Sequence, residues 1–68
     1  MNEIFFLVEN ANEGGYTARA LGESIFTEAD DTESLYRQVR DAVKCHFEDE
    51  QAPRFIRLHF THDEVIAV

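Results

Sequence analysis

Five apolar residues in a row, Ile4-Phe5-Phe6-Leu7-Val8, lie between Glu3 and Glu9. β-Branched and aromatic side chains fill the run, so it predicts a strand over residues 3 to 9. Ile4, Phe6 and Val8 would share one face, and Phe5 and Leu7 the other. Two apolar faces point to a central strand. Asn10 to Gly15 is a turn-rich connector whose glycines can take positive φ, and a second strand is expected from Tyr16 to Leu21. Gly22-Glu23 makes another turn. A third strand, Ser24 to Ala29, then sets Ile25, Thr27 and Ala29 against Phe26 and Glu28.

The period changes at Asp30. Leu35, Val39, Ala42, Val43 and Phe47 recur at helical spacing, with Asp31 as N-cap and Glu33 in the first turn. Glu33 stands four residues before Arg37, the favourable order for an ion pair, and Arg40, Lys44 and His46 lie toward the C-terminal end of the dipole. The helix should stop near Phe47, ahead of Glu48-Asp49-Glu50 and the single proline, Pro53. Residues 54 to 61 alternate again, Ile56, Leu58 and Phe60 against Phe55, Arg57 and His59, giving a fourth strand. Glu64 to Val68 is apolar enough for a fifth short strand or an intersubunit contact.

Three strands, a helix and a strand predict an α+β fold: one helix packed on a mainly antiparallel sheet. If the fourth strand returns beside the first, the order is 3-2-1-4 and the doubly apolar first strand is central. Ile4, Phe6, Val8, Tyr16, Ala18, Ala20, Ile25, Ile56, Leu58 and Phe60 are then the sheet's share of the core. The opposite face carries Phe5, Leu7, Leu21, Phe26 and Phe55 among Arg19, Arg57 and His59. One helix cannot cover both faces, so this mixed surface either stays partly exposed or is buried against another chain.

Composition narrows the function. Sixty-eight residues make one domain, residues 1 to 68, and 44% hydrophobic content is too high for a disordered chain despite a net charge of -8. The lone cysteine, Cys45, removes an intramolecular disulfide, which leaves self-association as the favoured source of extra stability and a homo-oligomer as the expectation. Fourteen acidic against six basic residues, the latter scattered along the chain, disfavour direct DNA or RNA binding and favour a basic partner. The first apolar run is too short for a secretory signal, and no stretch approaches a membrane helix. A single thiol suits a reducing compartment, so the expected location is the cytoplasm, with no membrane association.

Glu13-Gly14-Gly15-Tyr16-Thr17 opening the second strand, Gly22 before the third, and Thr27 with Ala29-Asp30-Asp31 leading into the helix resemble the N-terminal domain of HicB-like antitoxins. The likeness covers roughly residues 3 to 60. It implies a β-β-β-α-β, reduced RNase H-like fold and a protein that neutralises HicA, a small basic mRNA-cleaving toxin. Family members commonly continue into a DNA-binding segment that represses the operon. This sequence ends at Val68 with no such segment expected, and Leu21 stands where the family usually has proline, so autorepression does not carry over. A stand-alone, orphan member of the superfamily is the other outcome of the resemblance.

The chemistry-bearing residues divide into candidates and bland readings. Glu28, Asp30, Asp31 and Glu33 cluster at the strand-to-helix junction, where they are candidates for a basic partner, set against a plain capping role. With Phe5, Leu7, Phe26 and Phe55 they form the candidate partner-binding set. A metal-dependent nuclease would need carboxylates converging from separate strands, yet Ile4, Phe6 and Val8 hold the inward positions of the first. Cys45-His46 and His59-x-x-His62 lack the paired spacing of a zinc site. Gly14-Gly15 precedes a strand, with neither the lysine nor the helix of a phosphate cradle. No catalytic residue, metal or cofactor is assigned. The leading reading is an acidic protein-interaction module that is not an enzyme; a small metal-dependent enzyme and an RNA-binding accessory protein are the alternatives.

Overall fold

The computed structural model describes residues 2–68. Four strands and one helix follow in the order β1 (Glu3–Asn10), β2 (Tyr16–Ala20), β3 (Phe26–Ala29), α1 (Thr32–His46) and β4 (Phe55–Thr61). The strands form a single sheet ordered β3-β2-β1-β4. β1 is central, antiparallel to β2 and parallel to β4, and β2 is antiparallel to β3. The α+β architecture and the strand order read from the sequence are those of the molecule.

Alternation along β1 explains the core. Ile4, Phe6 and Val8 are at most 2% exposed, and their register partners Ala20 and Ala18 on β2 are buried with them. Small residues on β2 leave room for the helix to approach, and Leu35, Val39 and Val43 descend from α1 onto the sheet. Asp31 caps the helix as its sequence position predicts: Oδ1 accepts from the Ser34 N–H at 2.7 Å. At the other end the Phe47 N–H donates to the Val43 carbonyl at 3.1 Å. The Glu33–Arg37 pair expected on the exposed helix face is not formed; Arg37 Nη2 instead approaches Ser34 Oγ at 3.5 Å.

The turn glycines have definite tasks. Gly14 and Gly15 take φ of +101° and +81°, and a Cβ on Gly15 would lie 2.5 Å from the Ala29 carbonyl oxygen. The β1–β2 connector therefore rests on the end of β3, which only a residue without a side chain permits.

Three expectations are corrected. The third strand begins at Phe26 rather than Ser24, because the turn after β2 closes with an Ala20 N–H to Ile25 carbonyl bond of 3.0 Å; Ile25 is buried all the same. Phe60 was expected in the core and is 45% exposed. The helix packs most closely on β2 and β3, so the inner face of β4 is only half covered, and Ile56 and Leu58 are partly buried beside it. Phe60 meets Tyr16 edge to face at 5.9 Å. Finally, Glu64 to Val68 forms no fifth strand. Val65 is 95% and Ile66 84% exposed, and the segment runs on from β4 without a partner. The molecule is 52 Å long, against roughly 26 Å for an eight-residue strand and about 23 Å for seven further extended residues. The tail accounts for the excess length.

Candidate functional site

The face of the sheet turned away from α1 is the feature that most needs a functional account. Residues opposite one another in register share a face, so the surface can be read strand by strand. Leu7 lies at its centre, between Arg19 on β2 and His59 on β4. Phe5 is opposite Arg57, Phe55 opposite Glu3, and Phe26 opposite Arg19. Phe5 and Leu7, on the central strand, are half-buried by their neighbours. Phe26 and Phe55, on the two edges, are 60% and 61% exposed, and Leu21 is half exposed beside them.

Polar groups frame these apolar side chains. Arg57 donates through Nε and Nη2 to both carboxylate oxygens of Glu3. The pair pulls the Glu3 carboxyl below its ordinary range and raises Arg57, the hydrogen bond being the main cause in each case. The His59 ring stacks on Phe5 with centroids 5.7 Å apart. Glu9 and Glu28 complete the rim, each opposite Thr17 across a strand pair. Aromatic rings, guanidinium groups and a polar margin make up the composition that protein interfaces favour at their centres.

The acidic candidates at the strand-to-helix junction do not form one site. Glu28 belongs to the open sheet face. Asp31 is committed to the helix cap, where hydrogen bonds from Ser34 hold its carboxyl below the usual range. Asp30 lines a cleft of about 320 Å³ with Glu28, Tyr16, Ser34 and Gln38, and Glu33 lies in the first turn of the helix. Capping separates Asp31 from its neighbours. Of the eight candidates, Phe5, Leu7, Phe26, Phe55 and Glu28 share a face; Asp30 meets Glu28 only in this cleft, and Asp31 and Glu33 stand apart from both.

Two features escaped the sequence reading. Glu3 and Glu9 border the apolar centre, and their alternate spacing with Phe5 and Leu7 would have placed them there. The basic residues, scattered in sequence, also gather in space. Arg40, Lys44 and Arg54 line one cleft between α1 and the start of β4, with Val43, Phe47 and Ile56 as its apolar floor. Tyr36, Arg40 and Lys44 follow one another at four-residue intervals, a stripe that helical geometry alone aligns. Elsewhere, His46 Nε2 lies 2.9 Å from Glu23 Oε1, joining the end of α1 to the β2–β3 turn. Cys45 is exposed and free. Among the described residues no group of three or more His, Cys, Asp and Glu side chains is placed to hold a metal ion, and no helix is long and apolar enough to cross a membrane.

No protein-family model matches the chain, and no solved structure matches it. Two curated relatives do. A UPF0150 protein of Thermotoga maritima is 44% identical over 66 residues, covering 97% of this chain and 93% of its own length. A UPF0150 protein of Archaeoglobus fulgidus is 55% identical over 51 residues, 75% of this chain and 76% of its own. Identity at this level, over nearly the full length of the first relative, places the chain in the UPF0150 family.

Proposed function

We propose that this protein is a small acidic interaction module, without catalytic chemistry of its own, that binds another polypeptide on its open sheet face. The observation that carries the reading is the set of Phe5, Leu7, Phe26 and Phe55 with Arg19, Arg57 and His59 on a face no helix covers. At about 25 cal/mol per Å² of apolar surface, burying several large side chains there contributes several kcal/mol, comparable to the stability of a domain this small. A net charge of -8 favours a basic partner through steering and complementarity. Self-association belongs to the same reading, since a short chain with one cysteine gains stability most readily from a second copy.

The resemblance to HicB-like antitoxins supplies the specific candidate: a small basic HicA-type mRNA-cleaving toxin that this chain would neutralise. The β-β-β-α-β order supports the comparison, as do Glu13 to Thr17 at the start of β2. A stand-alone role without a toxin is the alternative within the same fold.

The deciding experiment pairs this chain with any small basic protein whose reading frame adjoins its own. Titration calorimetry should give a defined stoichiometry, and the complex should suppress RNA cleavage. Phe26→Asp with Phe55→Asp, at two exposed positions, should abolish binding while leaving the circular dichroism spectrum unchanged. A genomic neighbourhood with no basic open reading frame of similar size would sink the toxin reading. Unaltered binding by the double variant would remove the open face from the interface.

A further inference from the structure

The cleft between α1 and β4 and the tail that follows β4 are complementary in shape, polarity and charge. One cleft wall is β4, the strand at the end of the sheet, hydrogen-bonded only to β1 and so presenting a free edge along seven residues. The helix stands off it because α1 packs toward β2 and β3. Between them lie the half-buried Ile56 and Leu58, with Tyr36 above them 42% exposed. Arg40 and Ile56 line both this part of the cleft and its continuation toward Lys44 and Arg54. Half of the chain's six basic residues thus border one apolar groove, against a single carboxylate, Asp49.

The tail has the matching character. Asp63 and Glu64 lead into Val65-Ile66-Ala67-Val68, whose large aliphatic side chains are all exposed. Glu64 touches only His62, at 3.5 Å, an exposed pair of little energetic weight. Residues 62–68 contain neither glycine nor proline, so the tail is poorly suited to the sharp reversal needed to fold back beside its own β4. A neighbouring copy needs no reversal.

We propose that residues 64–68 of one copy add as a strand to the free edge of β4 in a second copy, reciprocally, with Ile66 and Val68 on the side of the groove between α1 and β4. This rests on the self-association part of the reading above but uses a different surface from the open sheet face. Symmetry sets the detail. A two-fold axis normal to a continuous antiparallel sheet preserves its faces, so facing residues must have numbers of the same parity. Even-numbered tail residues then lie on the inner face with Ile56, Leu58 and Phe60. An axis at Thr61 sets Glu64 opposite Leu58, beside Arg40, and Ile66 opposite Ile56. Strand addition satisfies the unpaired backbone of an exposed edge, and the alternate side chains select the partner. The resulting sheet would have eight core strands, with β4 and its tail paired at the centre.

Light scattering of the full chain and three variants tests this. The wild type should be a dimer at tens of micromolar. Ile66→Asp, on a side chain that packs on nothing in the single molecule, should be a folded monomer. Arg40→Glu should weaken the dimer about tenfold or more, and Arg40→Glu with Glu64→Arg should restore it to within a few-fold of wild type. Phe26→Asp, on the opposite edge strand β3, should remain dimeric. A wild-type oligomer that persists in Ile66→Asp overturns the tail-and-groove interface while leaving self-association through another surface. A wild-type monomer at all accessible concentrations overturns both. Failure of the charge reversal to restore a dimer that Arg40→Glu had weakened overturns the Glu64–Arg40 register.

Discussion

The two faces of β1 are built from the same kinds of side chain and meet different fates. Ile4, Phe6 and Val8 lie beneath α1 and are essentially inaccessible, whereas Phe5 and Leu7, one residue away on the same strand, are covered only by neighbouring side chains. Hydrophobicity does not distinguish them. The distinction is that a single helix covers this side of the sheet over β1, β2 and β3, and the residues facing it are small on β2 and large on β1. The open side replaces that fitted packing with Arg19, Arg57 and His59, whose apolar stems shield carbon while their heads stay in water.

The largest expected difference comes from truncating the two faces in turn. Phe6→Ala should cost about 3–5 kcal/mol, most of the stability of a 68-residue domain. Leu7→Ala should cost only about 1 kcal/mol, both measured by urea denaturation. Equal losses would mean that the open face is sealed by a second chain under the conditions of measurement.

Next come two glycines, one pressed against the backbone at the end of β3 and one in open space. Gly15→Ala adds a positive-φ penalty to a collision with the Ala29 carbonyl and should cost about 2–3 kcal/mol. Gly22→Ala meets nothing within 4 Å, and its loss should stay near 1 kcal/mol, from strain alone.

A gain is expected at Thr27. Its Oγ1 is buried without a hydrogen-bond partner, so Thr27→Val removes an unsatisfied hydroxyl at nearly constant volume and should stabilise by about 1 kcal/mol. Thr17→Val, on the opposite side of the sheet, should be close to neutral. Melting temperatures of the pair would show whether burial, rather than strand propensity, governs the result.

The smallest effect concerns the cap that starts the covering helix. Asp31→Ala should lower the melting temperature by about a few degrees at neutral pH. The Asp31 pKa is depressed in the folded protein from its ordinary 3.8, so its contribution is complete above that value and is lost as the pH falls through the lower folded value. The gap between wild type and variant should therefore close below pH 3.8; a gap unchanged at the lowest pH would exclude the carboxylate as the cap.

Much of this was legible along the chain. The doubly apolar run at residues 4 to 8 identified the central strand, and Asp31 and Phe47 marked the helix ends. Alternation on the strands identified Phe5, Leu7, Phe26 and Phe55 as one surface, because the period of a strand fixes the side each residue takes. The acidic cluster was less legible. Four carboxylates within six residues look like one patch, but a β-to-α junction turns the backbone, and a capping bond draws Asp31 toward the helix.

Local pattern determined the elements, their order and which residues share a face, since each depends on spacing within a few residues. Tertiary structure decided the lateral position of α1. By settling toward β2 and β3, where Ala18 and Ala20 leave space, the helix exposes Phe60, opens the groove beside Ile56 and Leu58, and gathers Arg40, Lys44 and Arg54 around it. Spacing fixes the stripe a helix presents, but where that stripe comes to rest depends on the relief of the whole sheet beneath it.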